Sequence, residues 1–320
     1  MANITIAEAA TSLSLHHRQY EKKIQQVVRT GNELEMGMRQ VRAKHTHVAP
    51  NAETQDLIQA YQGEFTPKMG VQFGANENKL QRMKIDILFM PEDIDEFFDN
   101  WQCEWVEDGK PRAQWTFPRY VYQEILMPKI IENFGTLSFN GIYQAPVVGT
   151  AGVTINSVDG LRKKGNDAID SGLLTPIATG AIGANTAVDQ MESFCDAIPV
   201  AQRDMPGEIK VSKTVEKRYW RNYRALFGTG NGVAGNQNSE LRVERTNKVI
   251  KGYSEMEGSD AILFTPKRNL LIGRRIGESL MPVIRWQEQD RKLKGLAEFS
   301  RFYGTGFWPN TFVNDQFATV

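Results

Sequence analysis

Two short apolar runs near the C-terminal end limit the folds open to this chain more than any other feature. Ala261-Ile-Leu-Phe264 and Leu270-Leu-Ile272 are each too short for a buried helix, and Thr265-Pro-Lys-Arg-Asn269 separates them. Apolar runs of this length bounded by turn residues read as sheet strands, and a proline at the opening of the turn stops a helix from crossing it. The stretch therefore predicts strand, turn, strand. It carries no nucleophile–base pair, no metal ligands and no phosphate cradle, so its purpose has to be sought in the rest of the chain.

The other segments alternate between the two periods. Phe65, Met69, Val71 and Phe73 are mostly two apart, Gly74 to Asn78 is turn chemistry, and Met83 to Phe89 alternates again. That order predicts a long β-hairpin over 61–90. Pro91 to Phe98 opens a helix, with proline in its first turn and acids where the helix dipole favours them. Tyr120, Glu124, Met127, Ile130, Ile131 and Phe134 predict a long helix over 117–134, kinked at Pro128 and stopped at Gly135. Val147 to Lys164 reads as short strands and turns. Thr186 to Cys195 is a helix, Gly207 to Ser212 a strand, and Val215, Tyr219, Tyr223 and Leu226 lie on one face of a helix capped by Ser212 or Thr214. Leu241 to Phe317 is mostly strand. In the first fifty residues, Ile24, Val27, Val28, Leu34 and Met38 sit at rough helical spacing in a polar setting. That segment reads as an N-terminal arm of one or two helices that packs on a partner. The fold class is α+β.

Composition narrows the functions. In 320 residues, Lys plus Arg and Asp plus Glu are 38 each, which argues against a strongly basic nucleic-acid binder and suits a protein that self-associates. Cys103 and Cys195 form no C-x-x-C pair and read as free buried thiols of a reducing compartment. The N-terminus shows no signal peptide, and no apolar run reaches membrane-spanning length. All four histidines, His16, His17, His45 and His47, fall in the first fifty residues and read as solvated, which leaves no Ser-His-Asp order to argue for.

Three motifs invite chemistry. The glycines of Gly228-Thr-Gly-Asn-Gly-Val-Ala-Gly235 follow a helix instead of preceding one, so they read as a surface loop and not a phosphate cradle. The acids of Glu92 to Asp99 sit in a helical first turn, where they serve the dipole. Lys213, Lys217, Arg218, Arg221 and Arg224 interleave with Tyr219, Trp220 and Tyr223; that pattern fits single-stranded nucleic acid, or a solvated face over buried rings.

Three stretches together resemble the major capsid proteins of tailed bacteriophages, the Hong Kong 97-type fold. They are Met127-Pro-Lys-Ile-Ile-Glu-Asn-Phe134 with Phe139-Asn-Gly-Ile-Tyr-Gln144; Val211-Ser-Lys-Thr-Val-Glu-Lys-Arg-Tyr-Trp220; and the opening pair of runs followed by Asp290-Arg291 and Phe302-Tyr-Gly-Thr-Gly-Phe-Trp308. The resemblance runs from about Phe65 to the end. It implies an arm at 1–60, an extended loop at 61–90, a peripheral domain at 91–169 and 248–320 with its spine helix near 117–134, and an axial domain at 170–247. It also implies inter-subunit contacts at Phe65, Lys68, Met69, Phe73, Asn76 and Lys79 of the loop, and at Gly228, Gly230 and Gly232 near the ring centres. The lysine–asparagine cross-link of some relatives has no matching pattern around Lys68, Lys79, Asn310 or Asn314, and is not carried over. The implied function is a non-enzymatic, cofactor-free shell protein that assembles in the host bacterial cytoplasm into pentamers and hexamers of a virion capsid. Its implied partners are itself, a portal, a separate scaffold, decoration proteins and packaged double-stranded DNA, with no membrane. An encapsulin-like compartment shares the fold. The alternatives are another virion protein, or an α+β enzyme that holds a phosphate-bearing substrate at the Gly228 loop.

Overall fold

The computed structural model describes residues 6–54, 58–65, 71–101, 103, 116–228, 241–244, 246–266 and 268–318. In chain order, helices α1 (Ile6–Thr30) and α2 (Glu33–Met36) lead to strands β1 (Arg39–Arg42), β2 (Thr46–Thr54), β3 (Val71–Lys79) and β4 (Gln81–Phe89). Helix α3 (Pro91–Trp101) follows. Then come α4 (Phe117–Tyr120), the wider π turns of Val121–Leu126 and α5 (Met127–Asn140), which form one helical run over 117–140. Helices α6 (Leu161–Asp170), α7 (Ala187–Asp196) and α8 (Val200–Arg203) precede β5 (Gly207–Ser212), α9 (Lys213–Phe227) and β6 (Lys248–Tyr253). The chain closes with β7 (Leu263–Pro266), β8 (Leu270–Arg274), β9 (Val283–Gln287), β10 (Lys292–Thr305) and β11 (Phe312–Val313).

These elements form two compact units. The first comprises Met1–Met36, Gln81–Gly135 and Arg275–Arg301. Its sheet is antiparallel: β10 pairs with β4, Leu293 opposite Phe89 and Arg301 opposite Gln81, and with β9 on its other side. Alternation sets its faces. Met83, Phe89, Leu293, Ala297 and Phe299 are buried, while Leu88 and Leu296 are exposed. Helix α1 packs on β9 and α4, burying Ala9, Leu13, Ile24 and Val28. The N-terminal region thus has the expected helices, but it does not lack a place to bury itself. Val27, expected on the apolar face, is exposed.

His17 is likewise buried, not solvated. Its ring lies 6.0 Å from that of Tyr122, and His16 stacks on the same tyrosine at 5.9 Å. Burial holds both imidazoles below their ordinary value; Arg119 adds to the effect at His16, and Glu21 opposes it at His17. At the centre of this unit Glu35 Oε1 accepts from Arg301 Nη1 at 2.5 Å, and both side chains are 0% exposed. The Arg301 guanidinium lies 3.6 Å from the ring centre of Phe134, and Phe299 packs edge-on against the same ring.

The long helix differs from its sequence reading in two ways. The Met127 N–H reaches the Tyr122 carbonyl five residues back, so the wide turns fall just before Pro128, whose missing N–H denies Glu124 a donor. The helix also runs through Gly135 to Asn140, because Leu137 and Phe139 continue its buried face. The stop is Gly141, where a Cβ would lie 2.3 Å from the Val158 carbonyl.

The second unit comprises Gly37–Leu80, Thr136–Arg274 and Phe302–Val320. One sheet runs β11-β7-β5-β6, with β5 and β6 parallel and α9 making the crossover between them. Met191, Phe194, Val211, Val215, Tyr219, Ile250 and Phe264 form its core. Ser212 caps α9, its Oγ accepting from the Val215 N–H at 3.3 Å, as expected. Thr186 takes the cap position of α7 without a capping bond; its hydroxyl goes to Gln190 instead. Helix α6 was not expected. Of its buried positions, Leu161, Gly165 and Ala168, only the first is a large apolar residue, and Gly165 lies under the Phe317 ring, so little apolar periodicity showed in the sequence. β7 and β8 are the two strands of the opening runs, yet they do not pair. β7 joins β5 and β11, whereas β8 pairs in parallel with β1. Asn269 fixes the turn between them: its amide donates to Thr265 Oγ1, Thr311 Oγ1 and the Phe307 carbonyl, and its Oδ1 accepts from the Phe307 N–H at 2.8 Å.

Two outcomes are expected. Glu35→Ala strands a buried guanidinium and should lower unfolding free energy by about 3–5 kcal/mol in urea, more than the paired replacement Glu35→Leu, Arg301→Met does. Because the folded imidazoles lie below 6.5, the unfolded chain binds more protons beneath that pH, so stability present above it falls as pH drops through it. The urea midpoint should therefore decrease between about pH 7.5 and about pH 5.5, and decrease less in His17→Gln; an equal decrease in both would place the effect elsewhere.

Candidate assembly surfaces

The most conspicuous surface feature is a ribbon. β2 and β3 are nine residues each and pair only with one another, Thr46 opposite Lys79 and Thr54 opposite Val71. At about 3.4 Å per residue the ribbon is roughly 27 Å long. An isolated two-stranded ribbon is marginal in water, so it needs an anchor. The anchor is its base. Ala49 packs with Leu271 and Phe302, flanked by Val41, Ala43 and Leu80. His47 stacks on Phe302 at 5.9 Å, and Asn76 Nδ2 donates to the Thr305 carbonyl at 2.7 Å. At the other end, Ile58, Tyr61 and Phe65 are each more than 90% exposed.

This pairing corrects the expected hairpin. Val71–Lys79 pairs with Thr46–Thr54, which was read as arm, and β4 pairs with β10 instead. Leu80 turns the chain between the two ladders, its N–H donating to the His45 carbonyl at 2.8 Å. Of the expected contact residues, Phe65 is exposed at the ribbon's far end, Phe73 lies opposite Ala52, and Lys79 is exposed at the base. Asn76 holds the ribbon to its own chain. Lys68 and Met69 lie outside the described residues, as do Gly230 and Gly232. Gly228 ends α9 with φ +72°, its N–H bonded to the Arg224 carbonyl at 3.0 Å, and Leu226 and Phe227 beside it are exposed.

A second surface belongs to the first unit. Leu15, Tyr20 and Val27 of α1, with Pro118, Arg119, Gln123 and Met127, line an open groove of about 800 Å³. A third is the loop before α6, where Val147, Val148 and Val153 point to solvent. Scattered exposed apolar residues are ordinary, but three groups of them make these surfaces candidates for contact with a partner.

The chemical candidates are placed otherwise. Glu92, Asp95, Glu96 and Asp99 lie exposed along α3, and Asp93 accepts from the Met90 N–H at 2.9 Å. Cys195 is buried, which pushes its thiol up to about 11, whereas Cys103 is exposed, contrary to expectation. Asn314 is also buried, bonded to Ile262 and Asp260. Among the described residues no group of three or more His, Cys, Asp or Glu is placed to hold a metal, and no helix is long and apolar enough to cross a membrane. Sequence reasoning missed the partner of β3 and the exposure of Val147, Val148 and Val153, although those valines lie in a Gly- and Pro-broken segment without periodicity.

No family model and no curated protein matches the chain. Solved structures do. A chain of the satellite phage P4 procapsid, in a structure that includes the size determination (Sid) protein, is similar with TM-score 0.54 and 13% identity over 92% of this chain and 98% of that one. The capsid of an empty GTA particle gives TM-score 0.55 at 12% identity over 89% of each chain. A structure of phage G major capsid and decoration proteins gives 0.50 at 11% identity over 87% of this chain and 88% of that one. At such identities the likeness is one of fold, and it extends over nearly the full length of both partners.

One outcome follows from the exposures. Tyr61→Ser with Phe65→Ser removes almost no buried area, so the unfolding free energy of the dispersed chain in urea should be unchanged within about 0.5 kcal/mol; a larger loss would mean that these rings are packed.

Proposed function

We propose that this chain, which has the Hong Kong 97-type capsid fold, is the major capsid protein of a tailed phage and assembles into the pentamers and hexamers of an icosahedral shell. The observation that carries this reading is the end-to-end likeness to capsid chains, 92% of this chain against 98% of the P4 procapsid chain. It explains surface that a solitary protein would not keep. The ribbon β2–β3 is the extended loop, and Ile58, Tyr61 and Phe65 at its far end meet an adjacent subunit. The helical run 117–140 is the spine of the peripheral domain. Residues 170–247 form the axial domain, which puts the end of α9 and Gly228 toward the ring centres. Head-to-tail contacts of this kind close into rings, and a neighbour covers the edges that the ribbon leaves unpaired.

The reading extends to partners. The P4 and phage G structures include a size-determination protein and decoration proteins, so a separate scaffold and decoration proteins are proposed here. A portal and packaged double-stranded DNA complete the set. Assembly takes place in the host cytoplasm, and the chain performs no catalysis. The alternative of an enzyme that cradles a phosphate puts its glycines at the start of a helix, whereas Gly228 closes α9.

The test is assembly. Produced alone or with its scaffold, the chain should give regular shells, or rings of five and six, by sedimentation and negative-stain imaging. Replacing residues 50–75 with Asn-Gly keeps the Ala49–Asn76 register. That variant should stay folded and soluble but form no particles. Normal particles from it would remove the ribbon from the contact; a small, dispersed chain under all conditions would remove the shell.

A further inference from the structure

Helix α9 sorts its residues by chemistry. Val215, Tyr219, Asn222 and Tyr223 are buried against the β5–β6 sheet. Lys213, Lys217, Arg221 and Arg224 are exposed. At 100° per residue these four fall within an arc of about 80°, directly opposite the buried face. They extend over twelve residues, a rise of about 16 Å along the helix.

Two carboxylates from outside α9 meet its residues, Glu257 at the Thr214 hydroxyl and Asp260 at Arg218, and among the described residues neither is paired with these four. The one acid of α9, Glu216, turns toward β6, where a Cβ on Gly252 would lie 2.4 Å from its carboxylate. Arg218, on the flank, is satisfied by Asp260 at 3.0 Å and the Ile182 carbonyl at 2.8 Å. The four outward cations form no ion pair among the described residues. Two lysines on other helices do have one a turn away, Lys129–Glu132 and Lys163–Asp167. With 38 cations and 38 anions in the whole chain, four cations on one face without an anion among them represent a local segregation of charge.

We infer that the outward face of α9 is a sequence-independent binding site for the phosphate backbone of duplex DNA. A duplex presents a continuous line of phosphates at about one charge per 1.7 Å of axis, which suits an evenly spaced row of four cations. A protein partner fits less well, since the row carries no exposed apolar anchor and its two lysines are of the type depleted from the cores of protein interfaces, although its two arginines are not. Single strands fit less well for a geometric reason. They need open aromatic faces, but Tyr219 and Tyr223 are buried and the Arg224 guanidinium covers the Trp220 ring at 4.9 Å. The interleaved aromatics of the sequence are therefore core and cover, not a stacking platform. The site stands on α9 alone; only the choice of DNA over another polyanion rests on the shell-protein reading.

The experiment uses the full chain and a fluorescein-labelled 24-base-pair duplex, followed by anisotropy across a salt series. Four phosphate contacts should give a slope of log K against log salt of about −3.6, or about a 150-fold loss of affinity between 50 and 200 mM salt, with no preference among duplex sequences. Lys217→Gln should reduce the slope by about one phosphate's share, 0.9. The quadruple variant Lys213→Gln, Lys217→Gln, Arg221→Gln, Arg224→Gln should abolish binding, and glutamine preserves helix propensity so that circular dichroism should not change. Unchanged binding or slope in Lys217→Gln and in the quadruple variant overturns the site. So does a variant that loses self-association while keeping its affinity for DNA, since an acidic surface of a second copy would then be the partner. Particle formation, read separately by negative stain, distinguishes the two readings: intact shells without α9-dependent DNA binding would overturn the site and leave the shell standing.

Discussion

Glu35 and Arg301 are 266 positions apart in sequence and meet where neither has access to water. Removing two charges from solvent costs several kcal/mol for each ion, and only close pairing with good geometry offsets it. That requirement fixes three elements together. α2 must present its carboxylate, the last residues of β10 on this unit must present the guanidinium, and Phe134 of α5 must lie flat beneath it at 3.6 Å. The N-terminal helices are therefore part of the first unit's core. A chain that began after Glu35 would lose the carboxylate that meets Arg301, so the N-terminal region cannot be treated as a tether added to a finished domain.

The second unit shows the opposite arrangement at its ribbon. Its stability is concentrated at the base, where Ala49, Leu271 and Phe302 meet and Asn76 reaches the Thr305 carbonyl. At the far end Tyr61 and Phe65 are exposed. A large aromatic side chain left exposed forgoes an amount of burial free energy, roughly 2–3 kcal/mol, that a neighbouring surface recovers on assembly. A firmly anchored base with a bare apolar end is suited to reaching a neighbour, and it gives physical content to the shell reading.

Charge follows the same economy of placement. The chain is neutral overall, yet Arg218 is matched to Asp260 on the flank of α9 while four cations on its crest have no carboxylate among them. Overall neutrality therefore does not exclude a local segregation of charge. The sum of charges describes colloidal behaviour, and the helical wheel describes recognition.

Much of the secondary structure could be read from the residues themselves. Proline and acids announced α3, Ser212 announced the start of α9, and the apolar runs announced β7 and β8, because caps, helical periods and β-branched runs act over a few neighbouring residues. What depends on distant partners was not legible. A period-two strand specifies which face it buries but not which strand lies beside it, since any extended neighbour offers the same ladder of N–H and C=O groups. So β3 paired backward with β2 instead of forward with β4, and β7 and β8 went to different sheets. Gly135 stayed helical and His17 became buried for the same reason, because surrounding apolar area outweighed local preference. The sequence by itself determined the α+β class and most element types. Only the tertiary structure decided which strands pair, which apolar residues remain bare at the ribbon's end, and which cations of α9 stand without a carboxylate, because each of these depends on contacts between residues far apart in the chain.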